Sequence, residues 1–313
     1  MEKTVYLDQN KWVDLSRARH GEDGGAPFAA ALKAATEAAE AGTAMFPLSA
    51  GHYFETWKRC KGDPRRKVGG VISDLSRHRT IAGQQPLTEM EIDAALLERF
   101  GTPDPPRKVE VFGYGAAHTF NEPALADYES WPLFAELGDA DTIERELICG
   151  PVENLPIAGV AQPDLTAAQS YARSENEQAA RFLAAKANAD AIDLTIAALE
   201  VESLMPLIEP ALKQAGVSLA QFYDLGPEGL TAFLLSMPWR GAATQLRQRR
   251  FHELHQEWTP NDLNDIAYLT LGLGYCDVLV TERQWVARMR QAKLDEQYGT
   301  VVIADLRELP DHL

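Results

Sequence analysis

Short hydrophobic segments typical of buried β-strands lie near the two ends of this 313-residue chain, and a long helical pattern separates them. The segments are Thr4–Leu7, Ala44–Leu48, Val278–Val280 and Val301–Ile303. Helical patterns join the first two, which predicts a strand–helix–strand opening and therefore a parallel sheet. Because the other two segments come from the far end, the two ends of the chain must fold together.

Helical sequence dominates the middle of the chain. Residues 123–148 and 164–205 are rich in Ala, Leu and Glu at helical spacing, and convincing strands are few in this part of the chain. We therefore expect an α/β protein. Residues 1–59 and 256–313 are expected to form a core that contains the sheet, and residues 60–255 a mostly helical insertion domain.

Capping residues predict where several helices begin and end. Gly42 follows an Ala-rich helical pattern and is expected to be the C-cap of that helix. Thr88 and Glu91 have the spacing of a capping box and are expected to begin an amphipathic helix. Near the C-terminal end, Thr259 or Asn261 is expected to cap a further helix.

The composition is typical of a globular protein with an excess of acidic residues. Forty-six Asp and Glu residues against thirty Lys and Arg residues give a formal charge of −16, so the average surface repels nucleic acid. Three cysteines without CxxC spacing argue against a disulfide framework or a zinc knuckle. Neither a secretory signal nor a membrane-spanning apolar run is visible, and we expect a cytoplasmic protein without a membrane partner.

Two basic clusters depart from this acidic background, one in residues 58–67 and one in residues 240–250. Together they hold ten of the thirty Lys and Arg residues and one acid. Such clusters are commonly solvated helix faces or loops, but they can also hold the phosphates of a nucleic acid. The candidate nucleic-acid contacts are Lys58, Arg59, Arg65, Arg66, Arg247, Arg249 and Arg250.

Five acidic residues follow the predicted strands or lie on helices beside them: Asp8, Glu55, Asp262, Asp265 and Glu282. In a parallel sheet such residues gather at one edge, where their carboxylates repel one another unless cations or protons compensate. Hard carboxylate oxygens suit Mg²⁺ or Mn²⁺, and these ions can activate water for phosphodiester hydrolysis. Taken singly, most of these acids can instead cap a helix or interact with its dipole, and Glu55 can be a surface residue.

The order of these features resembles the PIN-domain family of metal-dependent ribonucleases. Asp8 in VYLDQN matches the Asp that follows the first strand of the family. Glu55 in SAGHYFETWK matches its Glu on an early helix. Asp265 begins DIAYLTLGLGYCDVLVT, which ends at Thr281 sixteen residues later, a spacing common in the family.

The resemblance covers about residues 1–59 and 256–313. It implies a PIN-like α/β/α sandwich with a central parallel sheet, one or two Mg²⁺ or Mn²⁺ ions, and an RNA substrate that is cleaved by a metal-activated water. The implied metal ligands are Asp8, Glu55, Asp265 and, as an additional ligand or an outer base, Asp262. Hydrogen bonds to a ligand carboxylate or to a water are implied for Asn10 and Thr281.

One position departs from the family pattern, because Arg283 stands where an acid commonly follows the Thr by two residues. Three explanations stay open: Glu282 fills the catalytic role with shifted geometry, the other four acids hold the metal, or the site is degenerate. A degenerate PIN-like module would bind RNA or protein without catalysis, and a metal-dependent nuclease could act on DNA instead. Family analogy also allows a protein inhibitor, or antitoxin, as a partner.

Overall fold

The structure, a computed structural model, describes residues 2–58, 63–101, 105–127, 139–150 and 165–313. These residues form a mostly helical fold around a small parallel sheet, as expected for the α/β class. Within these ranges, no helix combines the length and the apolar composition needed to cross a membrane.

The strands of the described chain form two sheets. In chain order the strands are β1 (Lys3–Leu7), β2 (Ala44–Met45), β3 (Arg79–Ile81), β4 (Phe112–Tyr114), β5 (Val278–Val280) and β6 (Val301–Ile303). Hydrogen bonds connect β2, β1, β5 and β6 in that spatial order, and each neighbouring pair is parallel. The strands β3 and β4 form an antiparallel pair, and a bridge joins Thr80 in β3 to Leu48, which lies after β2 in the chain.

Helices make up most of the remaining described chain. In chain order they are α1 (Gln9–His20), α2 (Ala29–Ala41), α3 (Ala50–Lys58), α4 (Asp63–Ser76), α5 (Gln84–Phe100), α6 (Gly115–Phe120), α7 (Ala140–Cys149), α8 (Leu165–Ala185), α9 (Ala189–Ala215), α10 (Leu219–Tyr223), α11 (Gly226–Leu235), α12 (Pro238–Phe251), α13 (Pro260–Tyr275), α14 (Arg283–Gln291) and α15 (Leu294–Tyr298). Short 3₁₀ helices occupy Ala26–Phe28, Pro123–Ala126 and Leu306–His312. Gly42 ends α2 with a φ of 66°, and Thr259 caps α13, which confirms both predicted caps.

Strand register brings the two ends of the chain together at one edge of the sheet. Leu7, the last residue of β1, pairs with Val280, the last residue of β5. The N–H group of Asp8 then donates to the carbonyl of Val280 at 2.9 Å, and the N–H group of Thr281 donates to the carbonyl of Ile303 at 3.1 Å. Residues that come directly after β1 and β5 are therefore neighbours in space.

Alternating side chains bury both faces of the sheet. On one face Leu7 belongs to a hydrophobic cluster that also contains Val71. On the other face Tyr6 belongs to a cluster that also contains Leu246. Since Val71 and Leu246 come from residues 60–255, this segment shares both cores with the chain ends, while a third cluster lies wholly within it. The division into a core and an insertion domain stays a prediction.

Helix α5 begins earlier than the sequence predicts. Gly83 occupies its N-cap position and Gln84 is its first residue. The hydroxyl of Thr88 donates to the carbonyl of Gln84 at 2.8 Å, a contact made inside the helix. The predicted capping box at Thr88 and Glu91 is therefore wrong, because a longer-range contact uses the Glu91 carboxylate.

Glu91 caps helix α12, which is distant from it in the sequence. Its buried carboxylate accepts hydrogen bonds from the N–H groups of Trp239 at 2.6 Å and Arg240 at 3.1 Å, and from the hydroxyl of Tyr275. Trp239 and Arg240 lie in the first turn of α12, where backbone N–H groups lack helical partners. Burial raises the pKa of Glu91, and these three hydrogen bonds oppose the increase. One carboxylate thus connects α5, α12 and α13.

Replacing Glu91 with Ala should destabilise the protein, because three donors lose their acceptor. We expect the free energy of unfolding, measured in urea, to fall by about 3 kcal/mol. Glu98→Ala changes an exposed residue of the same helix and should alter this free energy by less than about 0.5 kcal/mol. Equal effects of the two substitutions would show that the Glu91 contacts do not stabilise the fold.

Candidate active site

A cavity of about 380 Å³ opens at the edge of the parallel sheet where β1 and β5 end. It is lined by all five acids singled out from the sequence, Asp8, Glu55, Asp262, Asp265 and Glu282. Asn10 also lines it, and Thr281 lies behind Asp8 and contacts it. The structure thus places these residues together, while their roles as metal ligands or catalytic groups stay predictions.

Asp8 is held at the sheet edge by the neighbouring strand. Its Oδ2 accepts a hydrogen bond from the Thr281 hydroxyl at 2.8 Å. Asp8 occupies the N-cap position of α1, but within the described chain its side chain makes no capping hydrogen bond. Burial raises the pKa of Asp8, the Thr281 bond opposes this increase, and the charge of Glu282 adds to it. The Asp8 carboxylate therefore lines the cavity instead of capping α1.

Asp265, in the second turn of α13, carries a strongly perturbed carboxyl group. The indole N–H of Trp285 donates to its Oδ2 at 2.9 Å. Burial raises the pKa of Asp265 to about 7, and the negative charge of Asp8 is the next largest contribution. Neither Asp8 nor Asp265 forms an ion pair with a Lys, Arg or His side chain of the described residues. These two carboxyl groups therefore lack a direct cationic partner in the described protein, and the charge of Lys11 only partly offsets the raised pKa of Asp8.

Glu282 forms an exposed part of the cavity wall. Its Oε1 accepts a hydrogen bond from Asn10 Nδ2 at 2.8 Å, and its Oε2 accepts one from Gln284 Nε2 at 2.9 Å. Glu282 occupies the N-cap position of α14, yet its side chain makes no capping hydrogen bond to the described part of that helix. The Oδ1 of Asn10 is buried without a hydrogen-bond partner among the described residues. An uncommitted oxygen acceptor thus lies beside the carboxylates.

Asp262 makes the contacts of a helix-capping residue. Its Oδ2 accepts hydrogen bonds from the N–H of Thr259 at 2.8 Å and from the Thr259 hydroxyl at 2.9 Å, which completes a capping box. Its Oδ1 lies 3.6 Å from Arg250 Nε. A role as a direct metal ligand would compete with these contacts.

A buried histidine fixes the helix that carries Glu55. His52 Nδ1 accepts a hydrogen bond from the N–H of Ser49 at 2.9 Å, so Nε2 carries the proton and donates to the carbonyl of Leu7 at 2.7 Å. Burial lowers the pKa of His52 to about 4, which keeps the ring neutral at physiological pH. These bonds tie the start of α3 to the end of β1. Glu55 comes about one helical turn after His52 and lines the cavity.

Close packing of α3 against Tyr268 of α13 shapes the cavity wall. A Cβ atom at Gly51 would lie 2.6 Å from the Tyr268 ring, so a larger residue would displace the ring. Tyr268 lines the cavity together with Gly51. Burial and the charge of Glu55 raise the pKa of Tyr268 to about 12, so its hydroxyl remains protonated at neutral pH.

The donor groups of the cavity fit a hard divalent cation in their chemistry. Carboxylate and amide oxygens suit Mg²⁺ and Mn²⁺, and added positive charge would stabilise the ionised forms of Asp8 and Asp265. As placed, no three His, Cys, Asp or Glu side chains in the described ranges are close enough together to hold one ion. Mg²⁺ is commonly bound by one or two carboxylates and several waters, a mode that needs no third carboxylate.

Three of the candidate nucleic-acid contacts are arginines that are engaged inside the protein. Arg65 is buried and donates to two backbone carbonyls. Arg247 is paired with Glu175 at 2.6 Å. Arg250 is 2% exposed and donates to the carbonyl of Glu257 at 2.8 Å. A phosphate contact by any of these three side chains would require the existing contacts to break.

The remaining candidate nucleic-acid contacts reach solvent where the structure describes them. Lys58 is exposed and donates to Glu55 Oε1 at 2.7 Å. Arg66 is exposed, and Arg249 is half-buried and bonds Gln291. Arg59 lies outside the described residues. The nucleic-acid contacts assigned to both clusters stay predictions.

Several residues that hold or line the cavity were missed as site residues, among them His52, Tyr268 and Trp285. His52 precedes Glu55 by three positions and Tyr268 comes three positions after Asp265, so helical spacing was a usable signal for both. Trp285 gave no such signal, because its contact with Asp265 depends on the placement of α14 relative to α13 in three dimensions.

Comparison of the chain with protein-family models, with curated proteins and with solved structures gives no match. The cavity is therefore interpreted from its own residues and geometry.

Asp265→Asn should stabilise the metal-free protein at alkaline pH. The folded-state pKa of about 7 lies above the ordinary value of 3.8, so the cost of ionising Asp265 develops as the pH rises from about 4 to about 7 and is complete above that. At pH 8 in EDTA we expect the free energy of unfolding of the variant to exceed that of the wild type by on the order of 2 kcal/mol. Toward pH 4 the difference should disappear.

The control for this measurement is Asp23→Asn, which changes an exposed aspartate outside the cavity. Its effect on unfolding should be small and independent of pH. A stabilisation by Asp265→Asn that is the same at pH 4 and pH 8 would contradict the electrostatic explanation.

Proposed function

We propose that the cavity is the active site of a Mg²⁺- or Mn²⁺-dependent endoribonuclease that hydrolyses RNA phosphodiesters. The observation that carries the proposal is the pair Asp8 and Asp265. Both carboxyl groups line one cavity, both have raised pKa values, and neither is ion-paired to a described residue. Uncompensated buried charge is costly for a fold, and groups with strongly perturbed pKa values cluster at functional sites.

In this proposal Asp8 and Asp265 hold the cation directly, and Thr281 and Trp285 fix their orientation through hydrogen bonds. The bound ion would supply an activated water and stabilise negative charge on the reacting phosphate. No covalent nucleophile from the protein is needed.

The remaining acids have outer roles in the proposal. Glu55 and Glu282 line the wall and are further ligands, directly or through water. Asp262 already accepts hydrogen bonds from Thr259 and lies near Arg250, so it is better suited to orient a water than to bind the ion. Asn10 holds Glu282 through its Nδ2.

A PIN-like α/β/α sandwich is part of the same proposal. The parallel order β2, β1, β5, β6 supports it. Asp8 directly after β1, Glu282 two residues after β5 and the acid-bearing helix α13 before β5 support it as well. Residues 1–59 and 256–313 would form the PIN-like core. Residues 60–255 would form a helical insertion that leaves the core beside Glu55, returns before Asp262 and contributes to substrate recognition.

A catalytically decayed module that binds RNA or protein is the alternative, and Arg283 is the residue that favours it. Arg283 is exposed at the start of α14, where the family commonly has an acid. Such a module would not require a divalent cation. A nuclease that acts on DNA would keep the metal dependence and differ only in its substrate.

Asp8→Asn should abolish both Mn²⁺ binding and RNA cleavage, because it removes a direct ligand while preserving the volume of the side chain. Titration calorimetry measures Mn²⁺ binding. Cleavage is measured with mixed-sequence single-stranded RNA and DNA oligonucleotides as substrates. We expect the cleavage rate to fall more than about 100-fold. Asp23→Asn is the matched control and should behave as the wild type.

Two outcomes would change the proposed function. A wild-type protein that binds no Mn²⁺ would exclude the nuclease and leave the RNA-binding or protein-interaction module. Metal-dependent cleavage of the DNA oligonucleotide in preference to RNA would keep the site and change the substrate.

Arg66→Glu and Arg249→Glu should weaken RNA binding in a salt-dependent way, because both side chains reach solvent and are available to phosphates. Each lost phosphate contact should reduce the slope of log affinity against log salt by about 1. Binding is measured with Ca²⁺ in place of Mn²⁺ to suppress cleavage. Lys33→Glu, at a side chain that is 76% exposed on α2, is the control. Unchanged salt slopes in both arginine variants would remove these residues from the RNA contact.

A further inference from the structure

Two neutral hydrogen-bonding side chains of α13, Asn264 and Tyr268, line the acidic cavity. They are four residues apart and therefore share one face of the helix, the face that also carries Asp265. Neither side chain hydrogen-bonds to another described residue, and neither has a polar atom sealed from solvent. The cavity thus has two uncommitted donors next to its carboxylates.

We propose that Asn264 Nδ2 and the Tyr268 hydroxyl donate hydrogen bonds to a phosphate oxygen of a single-stranded RNA bound in the cavity. The inference rests on the proposed function and assigns two substrate-binding residues to it.

Tyr268 is suited to this role because it is a fixed donor. The ring lies against the backbone at Gly51, where a Cβ would overlap it, so the position of the hydroxyl is set before a ligand binds. A donor that is already in place loses little conformational entropy on binding. The raised pKa of about 12 keeps the hydroxyl protonated, so Tyr268 donates a hydrogen bond and does not act as a base.

Asn264 and Tyr268 are neutral, so they can bind a phosphate without competing with a metal ion for the carboxylates. A Lys or Arg among the residues that line the cavity would add positive charge beside the carboxylates and compete with a metal ion for them. Amide and phenol donors can hold an anionic phosphate without neutralising the carboxylates. Three other amides of the wall already donate to protein groups, Gln9 to Thr56 and Asn10 and Gln284 to Glu282.

The size of the cavity favours a single strand. Its volume of about 380 Å³ is at the lower end of the range of about 300–1,000 Å³ for small-molecule sites. This space is small for a base-paired duplex and better suited to a single strand that inserts about one nucleotide.

The test compares Tyr268→Phe and Asn264→Ala with the wild type in binding a labelled mixed-sequence single-stranded RNA in Ca²⁺. We expect about tenfold weaker binding for each variant, because a hydrogen bond to a charged group is lost. Since neither side chain carries charge, the salt slope should stay unchanged, in contrast to the arginine variants. The Kd for Mn²⁺ should also be unchanged. Tyr223→Phe, at a tyrosine that is 53% exposed outside this cavity, is the matched control.

The outcomes separate this inference from the function on which it rests. Wild-type binding and cleavage of RNA, with equal affinity in both variants, would overturn the inference and leave the nuclease intact. A changed salt slope or weakened Mn²⁺ binding in the variants would overturn it as well, because the residues would then act on charge or on the metal. Equal affinity for a duplex of the same sequence would overturn the single-strand requirement. Failure of the wild type to bind RNA would end both proposals.

Discussion

The pairing of Leu7 with Val280 is the contact on which the candidate site depends. It sets the register between β1 and β5, which are more than 270 residues apart in the chain. Asp8 and Thr281, the residues that follow these strands, are therefore in contact. The same pairing alternates side chains between two hydrophobic clusters and buries both faces of β1. A shift of one residue would exchange these faces and separate Asp8 from Thr281.

Charge is distributed unevenly around the cavity. Its outer acids have partners: Lys58 for Glu55, Arg250 for Asp262, and two side-chain amides for Glu282. The inner acids Asp8 and Asp265 accept hydrogen bonds from the neutral side chains of Thr281 and Trp285 and form no direct ion pair with a described residue. The outer acids therefore have direct polar or charged partners, while the inner pair lacks a paired cation, a setting in which added positive charge would stabilise the ionised carboxylates.

The sequence was enough to predict which side chains gather where the parallel strands end. It was not enough to predict contacts between helices that are distant in the chain. Because parallel strands end at a common edge, Asp8 and Glu282 could be placed together from their positions alone. Glu91 could not be understood in this way, since its local capping pattern is overridden by N–H groups 148 and 149 positions away. The basic clusters show the same limit: the charge of Arg250 is evident from the sequence, but only the fold shows that this side chain is 2% exposed.

The separation of β1 from β5 along the chain also bears on when the cavity can exist. During synthesis Asp8 is made more than 250 residues before the residues that complete the wall, Asp262 to Glu282. The first strand must wait for its central neighbour, and long-range pairing of this kind forms late. If the cavity acts as proposed, the protein gains its activity only after residues 262–282 have been synthesised and have folded against β1.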